Sequence, residues 1–223
     1  MTDLANYLPR DVPGRRALIG RYVRLEPINW VMHGPELAPH YLGPQNDDLW
    51  AYMHVGPFAD IAACQEALEQ SAAKGGWEML AIISQQSGKA LGCASFMRLR
   101  RDVGSVEVGF VAFGHALQRT HMATEAMFLM ADHAIADLGY RRYEWKCEDA
   151  NGPSKRAAAR LGFQYEGLFR QDRIVKGRNR DTAWFSILDS EWPALKREYQ
   201  RWLSEDNFAP DGQQKTPLKA RDV

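Results

Sequence analysis

The apolar positions of this chain change period several times, and each change marks an element. Tyr22-Val23-Arg24-Leu25-Glu26 alternates with the two-residue period of a half-buried strand before Pro27 ends it. From Asp60 to Lys74 the period becomes helical, with Ile61, Cys64, Ala67, Leu68 and Ser71 on one face and Gly75-Gly76 closing the segment. Trp77 to Ser84 and Ala90 to Arg98 read as strands, and Gln85-Gln86-Ser87-Gly88-Lys89 between them has turn chemistry, so the pair predicts a hairpin. The strand pattern fades through Leu99 and Arg100. A polar link, Arg101 to Ser105, then leads into Val106-Glu107-Val108-Gly109-Phe110-Val111-Ala112-Phe113, a strand closed by Gly114, and a meander results.

The second half alternates helix and strand. From Thr124 the apolar residues Met127, Met130, Ala131, Ala134 and Leu138 fall at helical spacing, and Gly139 suits a left-handed C-terminal position. Arg142 to Cys147 predicts a strand, Asn151 onward a short helix, and Tyr165 to Arg170 and Asp181 to Leu188 two further strands. Glu191 to Leu203 predicts a last helix with Trp192, Leu195, Tyr199 and Trp202 on one side. Ile28 to Trp50 reads as short helices and loops, with Trp30, Met32, His33, His40, Tyr41, Trp50 and, just beyond, Tyr52 among prolines and glycines. These aromatics and histidines either pack the first helices on the sheet or shape a pocket, and the residues leave both open. The basic run Lys176-Gly177-Arg178-Asn179-Arg180 reads as a solvated turn, with a grip on an anionic group as the alternative. The order of elements is that of one mixed domain over 17–203. Residues 1–16 form an arm that lies on the domain or on a partner subunit, and the polar tail 204–223 is expected to be disordered.

Composition narrows the function classes. Of 223 residues 45% are hydrophobic, enough for a sizeable core. Lys plus Arg equals Asp plus Glu at 28 each, so no net field recruits nucleic acid or an anionic membrane. No apolar run is long enough to span a bilayer, and the first residues lack a secretion pattern, so a cytoplasmic location is expected. Cys64, Cys93 and Cys147 are widely spaced and read as reduced structural thiols. No metal-ligand spacing, internal repeat or nucleotide-binding glycine motif appears, so no metal is expected.

The chemistry concentrates where the strand Val106–Phe113 runs through Ala116-Leu117-Gln118-Arg119-Thr120-His121-Met122-Ala123 into a helix expected to begin at Thr124 and Glu125. A loop ending at a helix N-terminus presents N–H groups without intrahelical partners, and the helix dipole favours an anion; most such ends nevertheless hold only water. Gln118 to Ala123 resembles the Q/R-x-x-G-x-G/A pyrophosphate loop of the GNAT superfamily of N-acetyltransferases, with His121 in place of the first glycine. A second block, Asn151-Gly152-Pro153-Ser154 through Leu161-Gly162-Phe163, is similar to the family's segment of Asn, then Ser or Ala three residues on, then Leu-Gly-Phe after a helix. Asn151 with Ser154, and Ala158 where many members carry a tyrosine, resembles the RimJ/RimL ribosomal-protein N-terminal acetyltransferase branch. The resemblance runs from Arg21 to Trp192.

That resemblance implies an α+β (mixed α/β) GNAT fold: a central, mostly antiparallel twisted sheet of about seven strands with helices on both faces and splayed central strands. It implies acetyl-CoA as cosubstrate, bound by Gln118, Arg119, Thr120, His121, Met122, Ala123 and Thr124 at the loop and by Asn151 and Ser154 along the pantetheine arm. The thioester would sit near Phe110 and Val111, its oxygen held by a backbone N–H between Phe110 and Phe113. The His121 side chain is expected to point to solvent while its N–H binds. Strand alternation puts Glu107, Gly109 and Val111 on one face and Val106, Val108 and Phe110 on the other.

The expected function is acetyl transfer to a primary amine, a protein N-terminus or a small molecule, by direct attack in a ternary complex. A catalytically silent acyl-CoA-binding or sensor domain is the alternative. Glu107, a carboxylate in an apolar strand, is the candidate base, unless it is merely an outward-facing strand residue. Ser154 is the candidate group for the leaving thiolate; Ser154 and Asn151 also have the composition of a helix start, and both roles can coexist. A homodimer is compatible with the sequence, and neither nucleic acid nor membrane is expected as a partner.

Overall fold

The structure is a computed structural model and describes residues 4–221. Eight strands form one sheet: β1 (Leu18–Ile19), β2 (Val23–Pro27), β3 (Glu78–Ser84), β4 (Ala90–Arg100), β5 (Ser105–Phe113), β6 (Arg142–Glu148), β7 (Gln164–Val175) and β8 (Arg178–Leu188). Their order is β1-β2-β3-β4-β5-β6-β8-β7, and every neighbouring pair is antiparallel except β5 with β6. This is the expected mixed, mostly antiparallel architecture, with the two-residue β1 as an addition. Helices α1 (Trp30–Tyr41) and α2 (Ile61–Gly75) cover one face, and α3 (His121–Asp132), α4 (Gly152–Arg160) and α5 (Trp192–Trp202) cover the other.

A sheet covered on both faces needs strands that are apolar on both sides. In β3, Leu80 and Ile82 pack toward α3 and α5, while Met79, Ala81 and Ile83 pack toward α1 and α2. The region expected to be short helices and loops holds a full 12-residue helix, α1, followed by a 3-10 segment from Pro44 to Trp50. Asn29 caps α1 by accepting from the Val31 and Met32 N–H groups, and burial of Trp30, Leu37 and Tyr41 holds it together despite Pro35 and Pro39. Helix α3 starts at His121 rather than Thr124, because the Thr120 hydroxyl caps it by accepting from the Ala123 N–H at 3.2 Å. The basic run is the tip of the β7–β8 hairpin: Arg178 to Arg180 already belong to β8.

Two bulges interrupt the alternation of β4 and β5. Cys93 pairs with Ala112 and Ser95 with Gly109, so Phe110 and Val111 together oppose Ala94, and Phe110 takes a φ of 45°. Met97 pairs with Glu107 and Arg100 with Ser105, so Arg98, with a φ of 47°, and Leu99 together oppose Val106. One inserted residue sends each later side chain to the opposite face. Val106 and Val108 therefore pack toward α3, whereas Phe110 and Ala112 pack toward α1 and α2. This corrects the simple alternation, which grouped Phe110 with Val106 and Val108.

Residues 4–16 of the arm and 204–221 of the tail lie on the domain; residues 1–3 and 222–223 are outside the described residues. Tyr140 donates from its hydroxyl to the Asp11 carbonyl at 3.0 Å, and the Arg10 N–H donates to the Arg101 carbonyl at 3.1 Å. Residues 204–221, for which composition suggests disorder, fold back on α5: Leu218 is buried, and Asn207 donates to the Trp202 carbonyl at 3.0 Å.

Helix α3 is tied to the sheet edge by one buried carboxylate. Glu125 accepts from the backbone N–H groups of Arg21 (2.8 Å), Tyr22 (2.6 Å) and Val23 (2.8 Å). A Cβ at Gly20 would lie 2.5 Å from the Glu125 carboxyl carbon, so the approach requires glycine. Glu125→Ala leaves three donors without an acceptor and is expected to cost about 3–5 kcal/mol, which lowers the thermal midpoint by about 10 °C for a domain of this size. Thermal unfolding followed by circular dichroism measures it, and a shift below about 2 °C would remove Glu125 as an anchor.

Candidate functional site

The site is built where β5 and β6 part. The two strands pair from Ser105 with Arg142 to Val108 with Trp145, and the ladder ends there. The next residues of β5 are Gly109 and the bulge at Phe110, which bend the strand away while β6 continues to Glu148. Gly109 is required at the parting: a Cβ would lie 2.5 Å from the Met97 sulfur and 3.0 Å from Glu107 Oε1.

One wall of the gap is the start of α3. Gln118 closes the loop by donating from Nε2 to the Phe113 carbonyl at 2.8 Å, and Arg119 sits at a φ of 60°. The Thr120 hydroxyl donates to the Leu117 carbonyl at 2.7 Å while it caps the helix. The Ala123 N–H is thus engaged, and the N–H groups of His121 and Met122 have no partner among the described residues. The His121 ring does not point to solvent, as expected from sequence, but lies against Tyr22 (4.3 Å between centroids) and Phe208 (5.3 Å). Burial there pushes its imidazole below the usual range, against the pull of Glu125. Thr124 is buried, and its hydroxyl accepts from Arg160 at 3.1 Å, which places it in the α3–α4 packing.

The other wall is the start of α4. Asn151 caps the helix, its Oδ1 accepting from the Ser154 N–H at 3.0 Å, and its side-chain NH2 makes no hydrogen bond among the described residues. The Ser154 hydroxyl accepts from Trp145 Nε1 at 3.0 Å, and its own proton can go to the Cys147 sulfur or to a ligand. Asn151 is thus the cap and Ser154 a first-turn residue whose N–H it caps, and each keeps a polar group that can turn to a ligand. Burial raises all three thiols, Cys64 to about 12 and Cys93 to about 11; at Cys147 a hydrogen bond with Ser154 only partly opposes it.

Glu107 is buried on the α1/α2 side of the sheet, beside Met97, and it is not alone. Its Oε2 accepts from Arg98 Nε at 2.5 Å and lies 2.9 Å from Lys146 Nζ. Lys146 also lies 3.0 Å from Glu144 and 3.5 Å from the centroid of the Trp184 ring. Arg100 and Arg142 add further donors to Glu144 at 2.7 and 2.8 Å. Burial works to raise the Glu144 carboxyl, but the hydrogen bonds from Arg142 and Lys146 outweigh it and hold it low. The apolar surroundings that sequence suggested for Glu107 are instead a network of ion pairs.

A histidine that sequence reasoning passed over lies nearer the gap. His54 follows the 3-10 segment, and its ring is 6.1 Å from Phe110 and 5.7 Å from Trp77, which itself stacks on Phe110 at 5.5 Å. His54 Nε2 lies 3.1 Å from the Ser71 hydroxyl, whose only proton goes to the Ala67 carbonyl at 2.8 Å. With the Ser71 proton directed at the Ala67 carbonyl, Nε2 donates to Ser71 and Nδ1 keeps its lone pair. The residue is exposed overall, but desolvation of its ring beside Trp77 and Phe110, then Arg180, Arg173 and Lys176, push the imidazole below its ordinary value and favour its neutral form. No spacing could have shown this, because Ser71 lies on α2, 17 residues on. The singled-out aromatics are structural: Tyr41 donates to the Ala112 carbonyl at 2.9 Å and Trp50 to the Tyr41 carbonyl at 3.0 Å. His33 is structural too, accepting from the Asn29 N–H at 3.1 Å and donating to Glu26 at 3.1 Å.

Among the described residues, no group of His, Cys, Asp or Glu side chains is arranged to hold a metal, and no helix is long and apolar enough to cross a membrane. Residues 31–164 match the family model of the acetyltransferase (GNAT) domain. An uncharacterized N-acetyltransferase, p20, from Bacillus licheniformis is 30% identical over 155 residues, 66% of this chain and 80% of that protein. The crystal structure of a GCN5-related N-acetyltransferase from Brucella melitensis superposes with a TM-score of 0.91 at 46% identity, covering 96% of this chain and 97% of that one. A probable GNAT-family acetyltransferase from Chromobacterium violaceum superposes with a TM-score of 0.80 at 38% identity, covering 86% and 96% of the two chains.

Proposed function

The chain belongs to the acetyltransferase (GNAT) family, an acetyl-CoA-dependent enzyme family, and we propose that it transfers acetyl directly to a primary amine in a ternary complex. One observation carries this reading: the gap between β5 and β6 opens onto a capped helix start whose His121 and Met122 N–H groups are free. The family gives no support to the alternative of a catalytically silent acyl-CoA sensor. Acetyl-CoA supplies the activated acetyl group. The residues of the chain orient it, hold charge and move protons.

In this reading the amides of the α3 start and the loop from Gln118 to Thr120 take the pyrophosphate, and the NH2 of Asn151 takes the pantetheine arm. The unpaired N–H groups of β5 beyond the bulge, between Phe110 and Phe113, stabilise the carbonyl oxygen as it gains charge. Ser154 donates its proton to the departing thiolate. His54 Nδ1 accepts the amine proton, a role that the neutral imidazole fits better than Glu107, whose carboxylate already holds two cations through Oε2. Glu107 positions Lys146 at the closed end of the gap. Direct attack is favoured over an acyl-cysteine because all three thiols are buried and pushed up, so none supplies a thiolate at neutral pH.

Asn151 with Ser154, and Ala158 in place of a tyrosine, support assignment to the RimJ/RimL branch, whose acceptors are protein N-terminal amines; a small-molecule amine is the other acceptor class. Three reduced cysteines support a cytoplasmic location.

Calorimetric titration with acetyl-CoA is expected to give saturable binding near micromolar, roughly −8 kcal/mol, and acceptor-dependent thiol release then follows. Asn151→Ala is expected to weaken that binding by about two- to tenfold, the worth of one hydrogen bond. Ser154→Ala lowers turnover with binding kept, and Cys147→Ala leaves turnover largely intact; a folded but inactive Cys147→Ala protein would overturn direct attack.

The pH profile separates the two base candidates. Only neutral His54 accepts a proton, so kcat at saturating acceptor falls as pH drops through a pKa that burial holds below 6.5. His54→Gln is expected to lower kcat by about 100-fold and to abolish that acid limb, whereas Glu107→Gln lowers turnover and keeps it. Loss of the limb in Glu107→Gln, with the limb kept in His54→Gln, would return the role to Glu107.

A further inference from the structure

The hairpin tip that reads as a solvated turn in the sequence instead closes one side of a cavity. A space of about 340 Å³ is lined by Tyr52, Glu148, Lys176, Arg178, Asn179 and Arg180, among others. Tyr52 comes from the segment between α1 and α2, Glu148 from the end of β6, and the rest from the β7–β8 tip. The tip is docked rather than free, since Lys176 Nζ donates to the Trp50 carbonyl at 3.1 Å; on the opposite side Tyr52 donates to the Ala150 carbonyl at 3.3 Å. Three cations and one carboxylate face the same space, so it is positive in an otherwise neutral chain.

Arg180 is the informative residue. Its Nε–H is buried and has no hydrogen-bond partner, and its guanidinium forms no ion pair among the described residues. Nearby Arg173 is turned to Asp172, at 3.5 Å, and Lys176 to the Trp50 carbonyl. A buried donor on a permanent cation is costly when left unpaired, and a planar guanidinium is matched by a carboxylate. Its position follows from the strand pairing: Arg180 lies on β8 two residues before Thr182, the partner of Glu148 at the end of β6, and it lines the cavity with Glu148 and Tyr52. Its charge is also felt at His54 and at Cys147.

We propose that the acceptor amine carries a carboxylate, which Arg180 binds at the mouth of the gap while the amine faces His54. This rests on the acetyltransferase reading of the same site and, of its two acceptor classes, selects a small carboxylate-bearing amine over a protein N-terminus. A second ammonium group would enter a field of like sign, so polyamines are disfavoured as acceptors.

Two measurements test the proposal on the purified chain with acetyl-CoA. The first compares kcat/KM for free amino acids, the corresponding amino-acid amides and spermidine, each corrected for its neutral-amine fraction. Acids are expected to exceed amides and spermidine by about tenfold or more, and Arg180→Gln is expected to bring the acid-to-amide ratio close to one, with Arg180→Lys between. Equal use of acids and amides, or a preference for spermidine, overturns the proposal. So does a rise in KM for acetyl-CoA in Arg180→Gln that exceeds the rise for the acid, because Arg180 would then serve the 3′-phosphate of coenzyme A.

The second measurement needs no turnover. Calorimetric titration with N-acetylglutamate, and with its diamide as the uncharged control, is expected to show binding of the acid alone, lost in Arg180→Gln at an unchanged thermal midpoint. Equal binding of acid and diamide, or binding of neither, overturns the carboxylate site. Binding of the acid with no turnover of any amine would instead reject the transferase reading and leave the site standing.

Discussion

The geometry of the molecule depends on one mismatch in strand pairing: Phe110 and Val111 together oppose Ala94. A sheet this size, covered by helices on both faces, would otherwise be closed and without a site. The extra residue bends β5 away from β6 after Val108 and Trp145, and it swaps the faces of the residues beyond it. Both effects serve the same place. The bend opens the gap, and the swap turns Phe110 toward Trp77 and His54 on the α1/α2 side. Gly109 makes the turn sterically feasible, because Met97 and Glu107 occupy the space that a side chain would need.

The two ends of the gap differ in electrostatics for separate physical reasons. At the α3 start the positive potential comes from backbone: a capped helix terminus with free amides, held in register by the Glu125 carboxylate on the chain before β2. At the β7–β8 tip it comes from the side chains of Lys176, Arg178 and Arg180, and the field of the tip helps to lower the His54 imidazole. Between them, Glu107 and Glu144 are matched by Lys146, Arg98, Arg100 and Arg142. A buried network of this kind does little for net stability, but it fixes Lys146 where the strands begin to part. The site thus separates a rigid charged floor from a mouth formed by two loops.

What could be read along the chain is what depends on neighbours in sequence. Alternation placed β2, β3, β4 and β6; helical spacing placed α2 and α5; and the Asn151, Ser154 and Leu161-Gly162-Phe163 pattern identified the family, because caps, turns and face periodicity are set within a few residues. The same locality explains two misjudged boundaries. Pro35 and Pro39 read as breakers where tertiary burial sustains α1, and Thr120, which caps α3, was taken for part of the loop.

Other features were decided only by tertiary contact. Whether a β-strand residue faces one side or the other depends on a bulge, and a bulge depends on the partner strand, so the side that Phe110 takes could not follow from period alone. The partners of Glu107 come from β4 and β6, the hydroxyl that orders His54 from α2, and the wall behind Arg180 from the segment after α1. Sequence determined the family and the order of elements. Which carboxylate is paired, which imidazole is neutral and which guanidinium lacks a partner are properties of groups brought together from distant parts of the chain, and the tertiary structure decided them.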